Sequence, residues 1–172
     1  ITYAMSFAEI IEAEVVLYHA FVPFVSGFYP VALNQVENLE TENKLIDRLS
    51  NIHEHFSKIH PKLSITTQVD KGSSKTRILD YCKKNKIGLI VMGTKGASGL
   101  VEGVLGSFTS SIMTSASCPV LAIPLTGKFK MFEQITYATN YQKGDLLSIN
   151  YLLQMNDYFE AKIKVVHVDQ SD

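Results

Sequence analysis

Two glycine clusters carry the chemistry that can be read from this sequence. The first is Gly93-Thr94-Lys95-Gly96; nine residues later comes Gly106-Ser107-Phe108-Thr109. A buried-looking run, Leu89-Ile90-Val91-Met92, leads into the first cluster, and a helix-like stretch from Phe108 leads out of the second. Strand, glycine loop and helix start together suit the holding of a phosphate. Glycine leaves backbone N–H groups uncovered. The first turn of a helix adds unpaired N–H groups and a positive field. The competing reading is a tight connection kept for packing alone. The stretch has no Gly-Lys-Ser/Thr ending and no G-x-G-x-x-G, so neither a Walker loop nor a dinucleotide fingerprint is present.

Around that stretch the apolar pattern alternates between helix and strand. Helical spacing covers residues 1–13 and about 36–60, where Pro61 stops it. A third helix runs from a Ser73 or Ser74 cap to about Lys86, with Ile78, Leu79 and Cys82 facing inward. Contiguous β-rich runs at 14–21 and 87–92 read as strands covered on both faces, as in a parallel sheet. His19 ends the first of these and is expected to be a satisfied structural histidine, as is His167 in the tail. Residues 62–69 alternate and suit a strand nearer the sheet edge, with Asp70-Lys71-Gly72 as a turn. Val120 to Ile123, between Pro119 and Pro124, suits an edge strand. Residues 22–36 read as a loop packed partly on the body. The alternation predicts an α/β fold with a parallel sheet and right-handed crossovers.

The tail restarts the pattern, with a strand at 134–138, a helix at 144–160 and a strand at 161–168. At an offset of 148, Ile149 falls on Ile1, Tyr151 on Tyr3, Glu160 on Glu12, Ala161 on Ala13 and His167 on His19. This predicts a divergent duplication: residues 1–126 as one unit without its opening strand, and 127–172 as the strand-helix-strand opening of a second. The chain then reads as a fragment of a tandem protein. In such sheets the first strand is usually central, so Gln134 to Ala138 is a candidate to fill the gap, within the chain or by exchange with a neighbour.

The 172 residues are 46% hydrophobic and 19% charged, with a formal net charge of −1. That composition supports a real core and gives no sign of a nucleic-acid or membrane-surface partner. No apolar run approaches the ~18 residues of a membrane helix. The chain begins at Ile1 rather than methionine, which leaves room for a segment ahead of it. Cys82 and Cys118 form no C-x-x-C pair and read as reduced, largely buried thiols of a cytoplasmic protein. His53-Glu54-His55 point in different directions on a helix and make no metal site.

The glycine stretch, with Gly99-Leu100, Leu105 and Cys118-Pro119-Val120-Leu121, resembles the universal stress protein family. Gly93, Gly96, Gly106 and Ser107 match the G-x-x-G-x(9)-G-[S/T] pattern of its nucleotide-binding branch. The resemblance implies an open, five-stranded parallel sheet flanked by helices, Rossmann-like and of the adenine nucleotide alpha hydrolase type. It implies ATP, with magnesium as an optional companion, at the carboxyl ends of the strands. Ala20 would lie against adenine, Met92 would be a further cofactor-binding residue, and Gly93 and Gly96 would let ribose and phosphates approach. Lys95 would add charge, while Gly106, Ser107, Phe108 and Thr109 would present N–H and hydroxyl groups. It brings no catalytic residues, so at most slow ATP hydrolysis is expected. Two departures stand out: the position matching the family's nucleotide-side aspartate is Asn140 in the second unit, and Phe108 replaces a smaller aliphatic residue. The expected function is a cytoplasmic ATP-binding stress-response module, paired with a second unit or chain through the Val120–Ile123 edge. The alternative is a docking or structural dimer of the same fold without nucleotide.

Overall fold

The computed structural model describes residues 1–94 and 105–167, which form two compact units, Ile1–Gly127 and Lys128–Asp172. In the first unit the order is α1 (Thr2–Ile10), β1 (Val15–Phe21), α2 (Val31–Ile59), β2 (Ile65–Lys71), α3 (Ser74–Lys84), β3 (Ile90–Gly93), α4 (Ser107–Met113) and β4 (Val120–Ile123). The second unit holds β5 (Gln134–Thr139), α5 (Asp145–Asn156) and β6 (Lys162–His167).

Each β-α-β passage ends in a parallel ladder. β1 pairs with β2 from Val15↔Ile65 to Phe21↔Lys71, and β3 with β4 from Ile90↔Val120 to Gly93↔Ile123. This is the α/β architecture that the alternation predicts, but among the described residues the strands form three separate pairs rather than one five-stranded sheet. The idea that Gln134 to Ala138 fills a gap in the first unit is overturned. β5 pairs with β6, from Gln134↔Lys162 to Thr139↔His167. The short α5 returns the chain beside the strand it has just left, which satisfies the ladder locally.

The core of the first unit lies where α1 and α2 cover β1 and β2. Met5, Phe56 and Ile65 are buried, with Val15, Leu17, Ile52 and Leu63 packed against them. Burying side chains of this size contributes about 1.5–3 kcal/mol each. His60, buried at the end of α2, meets Glu9 of α1 at 2.7 Å and fastens the two helices together. On α3, Cys82 is buried and Ile78 and Leu79 are half-buried, as the helical spacing requires. Ser73 is the N-cap without a side-chain cap bond. The Ser74 hydroxyl instead donates to the Ala20 carbonyl (3.1 Å) and ties α3 to the end of β1.

Four expectations need correction. His19 is exposed: β1 continues past it to Phe21, and although it shares the face of Val15 and Leu17 it stands beyond the side chains that pack on the core. Asp70 and Lys71 belong to β2, and Gly72 alone turns the chain, at φ +136°. Helix α2 begins at Val31, directly after Pro30, and is 29 residues long. At 1.5 Å per residue it spans ~44 Å, about twice the ~23 Å of a seven-residue strand. The loop before it leaves Val22, Val25 and Phe28 exposed rather than packed.

In the second unit Phe159 and Ala161 are buried, and the Phe159 ring lies 4.6 Å from that of Phe132. Asn156 exchanges two 3.0 Å hydrogen bonds with the Ala161 backbone and so sets the turn into β6. His167 is exposed, with Nδ1 2.7 Å from the Thr139 carbonyl and its ring against Tyr141.

Candidate functional site

The glycine clusters meet at the end of β3. A four-residue apolar strand, Ile90–Gly93, delivers the first cluster, and Thr94 prolongs it by donating its N–H to the Ile123 carbonyl at 2.9 Å. The second cluster is drawn to the same point by two hydrogen bonds. The Gly106 N–H donates to the Thr94 carbonyl at 2.7 Å, and the Thr109 hydroxyl donates to the Gly93 carbonyl at 2.9 Å. Thr109 is only 2% exposed, so its bond is shielded from water. Ile112, one turn on and fully buried, seats α4 against the body.

These contacts sort the expected site residues by what they can offer. Gly93, Ser107 and Phe108 are exposed, whereas Ala20, Met92 and Gly106 are half-buried. The Gly106 amide and the Thr109 hydroxyl are engaged within the protein, so both residues shape the site rather than reach outward. The first amides of a helix have no acceptor within it, and in α4 these belong to Ser107, Phe108 and Thr109. With the Ser107 hydroxyl, they form a donor set whose chemistry fits a polyphosphate. The exposed Gly93 lets a ligand approach the chain closely. Lys95 and Gly96 lie outside the described residues, as do Gly99 and Leu100.

Ala20 sits at the carboxyl end of β1, its carbonyl held by Ser74, opposite Asp70 in the ladder. Next to it is a polar cluster that sequence reasoning missed. The Tyr18 hydroxyl donates to Asp70 at 2.6 Å, Gln68 donates to the same carboxylate at 2.6 Å, and the Tyr18 ring packs 4.8 Å from Tyr81. Burial first, and then the Asp70 hydrogen bond, raise the Tyr18 pKa well above the ordinary phenol value. The only signal for this cluster was the shared parity of Tyr18 and Asp70 on neighbouring strands. Burial also pushes the Cys82 thiol up to about 11, with the Cys118 thiol as its neighbour. Both cysteines are free. In the second unit Asp145, in the first turn of α5, accepts from Tyr137 and Thr139 and ties α5 to β5. Those bonds, Thr139 first, hold its carboxyl below the usual range.

A sequence profile of the universal stress protein family matches residues 1–124. The chain belongs to the universal stress protein family. A universal stress protein of Methanocaldococcus jannaschii is 38% identical over 61 residues, 36% of this chain and 36% of that protein. Universal stress protein A homolog 2 of Coxiella burnetii is 28% identical over 119 residues, 67% of this chain and 77% of that protein. The matches with the archaeal protein and with a Bacillus subtilis universal stress protein span only about a third of each relative's length. Among solved structures, universal stress protein UspA from Lactobacillus plantarum superposes with a TM-score of 0.59 at 26% identity. That match covers 70% of this chain and 83% of the other. A putative universal stress protein from Pseudomonas aeruginosa shares the fold at a TM-score of 0.53 and 13% identity, over 90% of this chain and 60% of that one. Membership of this family accounts for the α/β architecture, and no described helix is long and apolar enough to cross a membrane.

Proposed function

We propose that this chain is the ATP-binding module of a tandem universal stress protein, acting in the cytoplasm as a nucleotide-responsive regulator of the stress response. The observation that carries the reading is the double closure of the glycine motif, Gly106 N–H on Thr94 and Thr109 hydroxyl on Gly93. It gathers the first amides of α4 and the bare backbone of Gly93 at one strand end. Ala20 and Met92 supply the apolar side for adenine, Gly93 and Gly96 the approach to ribose, and Lys95 a cation. Ser107 and the amides of Phe108 and Thr109 hold the phosphates. Each charge-assisted bond contributes about 1.5–3 kcal/mol, and three or four of them support micromolar affinity after the costs of association. No residue is assigned a chemical step, so binding rather than turnover is the activity.

Residues 1–126 form the nucleotide-binding domain in this reading, and 127–172 open a second domain of the same kind. The β5-α5-β6 passage and the 148-residue offset support the duplication. β4, bonded on one side to β3, offers its other edge for pairing two units or two chains.

Titration calorimetry with ATP tests the proposal. Micromolar binding is expected, and Gly106→Val should abolish it by placing a branched side chain at the mouth of the loop. Absence of heat at millimolar ATP, with the protein folded by circular dichroism, refutes it.

A further inference from the structure

The two cysteines are brought together from either side of β3 and α4. Cys82 lies in the last turn of α3, and Cys118 stands just before β4. Two backbone hydrogen bonds set them side by side. The Ile87 N–H donates to the Cys82 carbonyl at 2.9 Å and folds the chain back after α3. The Ile90 N–H donates to the Pro119 carbonyl at 3.0 Å, where β3 meets β4. The thiols themselves are hydrogen-bonding neighbours, with Cys82 as the donor, and both are free. A disulfide needs its sulfurs about 2.05 Å apart, a distance that thiols already in contact approach by small side-chain rotations.

The surroundings give the two thiols different parts. Cys82 is buried, whereas Cys118 is half-buried and so within reach of a small solute. Burial raises the pKa of both. On Cys118 that effect is opposed by two donors, the Cys82 thiol and the Ile90 N–H. Cys82 has no such relief, and its pKa stands at about 11. The thiolate is the nucleophilic form of cysteine, so Cys118 is the thiol that ionises first and meets an oxidant first. Two cysteines kept only to fill space would behave as small apolar side chains. This pair differs in that one thiol is reachable and the other is its hydrogen-bond donor.

We propose that Cys82 and Cys118 form a reversible disulfide within the chain when it meets hydrogen peroxide, with Cys118 attacking and Cys82 resolving. The Cys118 thiolate attacks one peroxide oxygen. The O–O bond breaks, hydroxide leaves and takes up a proton as water, and Cys118 becomes a sulfenic acid. The Cys82 sulfur then attacks the Cys118 sulfur. The S–O bond breaks, and the departing hydroxide takes the Cys82 proton as a second water. The two thiols have lost two electrons, and hydrogen peroxide has gained them. An external dithiol reverses the change by thiol–disulfide exchange. The bond joins the end of α3 to the entry of β4 and closes a covalent ring around β3 and α4. It does not depend on nucleotide binding.

Peptide mapping tests the proposal. The reduced full chain is treated with hydrogen peroxide, unfolded in iodoacetamide to block the remaining thiols, and digested for mass spectrometry. A Cys82–Cys118 linked peptide pair is expected from protein that stays monomeric on a non-reducing gel, and dithiothreitol should remove it. In Cys82→Ala, dimedone should trap a sulfenic acid at Cys118. In Cys118→Ala, oxidation of Cys82 should be at least about tenfold slower. Circular dichroism checks the fold of both variants, and the wild-type cross-link needs neither. Four results overturn the proposal. They are a folded wild type that keeps both thiols free at a peroxide dose that fully oxidises glutathione, cross-links only between chains, a Cys118 that stops at sulfinic acid without a cross-link, and oxidation of Cys82 ahead of Cys118.

Discussion

Replacing Thr109 by valine separates two roles that this residue could play. The side chain is 2% exposed, and its hydroxyl donates to the Gly93 carbonyl at 2.9 Å. Valine keeps the shape and removes the donor. A neutral hydrogen bond contributes about 0.5–1.5 kcal/mol net, and an acceptor left unmet in a shielded place costs about 1–3 kcal/mol. Gly93 is itself exposed, so water can recover part of its carbonyl's bonding, and a loss of about 1–2 kcal/mol is expected. With a urea slope of about 2 kcal/mol per molar, the unfolding midpoint falls by ~0.5–1 M. Thr109→Ser retains the donor and loses one methyl, so it should fall by about half as much. ATP affinity distinguishes the roles. A hydroxyl bonded to phosphate would cost about 1.5–3 kcal/mol when removed, or roughly 10- to 150-fold. A hydroxyl engaged with Gly93 should leave affinity within about threefold. An unchanged midpoint together with a loss of more than tenfold in ATP affinity would refute the tether and make Thr109 a ligand.

Gly72→Ala should destabilise the first unit by about 1–3 kcal/mol, because φ is +136° and the new Cβ would stand 2.7 Å from Arg77 Nε. Adding Arg77→Ala relieves the clash but not the backbone strain, so denaturation of the double variant should recover only part of the loss. The Cys82 thiol has a folded pKa raised from 9.0 to about 11. Its contribution to stability is therefore complete below pH 9 and is lost as pH climbs through about 11. Alkylation by iodoacetamide at neutral pH should be slow, and should quicken about tenfold per pH unit as the thiolate grows in. Tyr3, Tyr18 and Tyr137 shift in the same direction, Tyr18 furthest, so ultraviolet titration should show these phenols ionising later than the ordinary value. Asn38→Ala removes both partners of Phe24. Hydrogen exchange at that amide should accelerate while the core amides of β1 keep their rates.

Much of the fold was legible because burial writes itself into residue order. The contiguous run Val15 to Tyr18 has no strongly polar face, and it forms a strand half-buried on both sides. Ile78, Leu79 and Cys82 carry helical spacing and face inward on α3. Less legible were features set by backbone chemistry. Helix α2 starts at Val31, long before the part that packs inward: Val36 and Leu39 are exposed, and the core contact comes from Ile52 and Phe56 near its end. Pro30 was the usable signal, fixing φ ahead of the first turn. The strand pairs also escaped the sequence, because apolar content shows that a strand is buried but not which neighbour it bonds. At the site, the glycine spacing marked out the loop, but the Thr94–Gly106 and Gly93–Thr109 bonds were invisible. They depend on a chain reversal whose closing partners lie twelve and sixteen residues apart.

Two asparagines of α2 clamp the loop before it, Asn38 bonding the Phe24 N–H and carbonyl and Asn34 those of Ser26. They grip the loop only through the main chain of Phe24 and Ser26, so neither bond pair depends on which side chain stands at 22, 25 or 28. Those positions are free to diverge, or to be rewritten, at little cost to folding. A short recognition peptide grafted at 25 and 27–29, with Asn34 and Asn38 left in place, would be held in a defined conformation, much as a framework holds a variable loop.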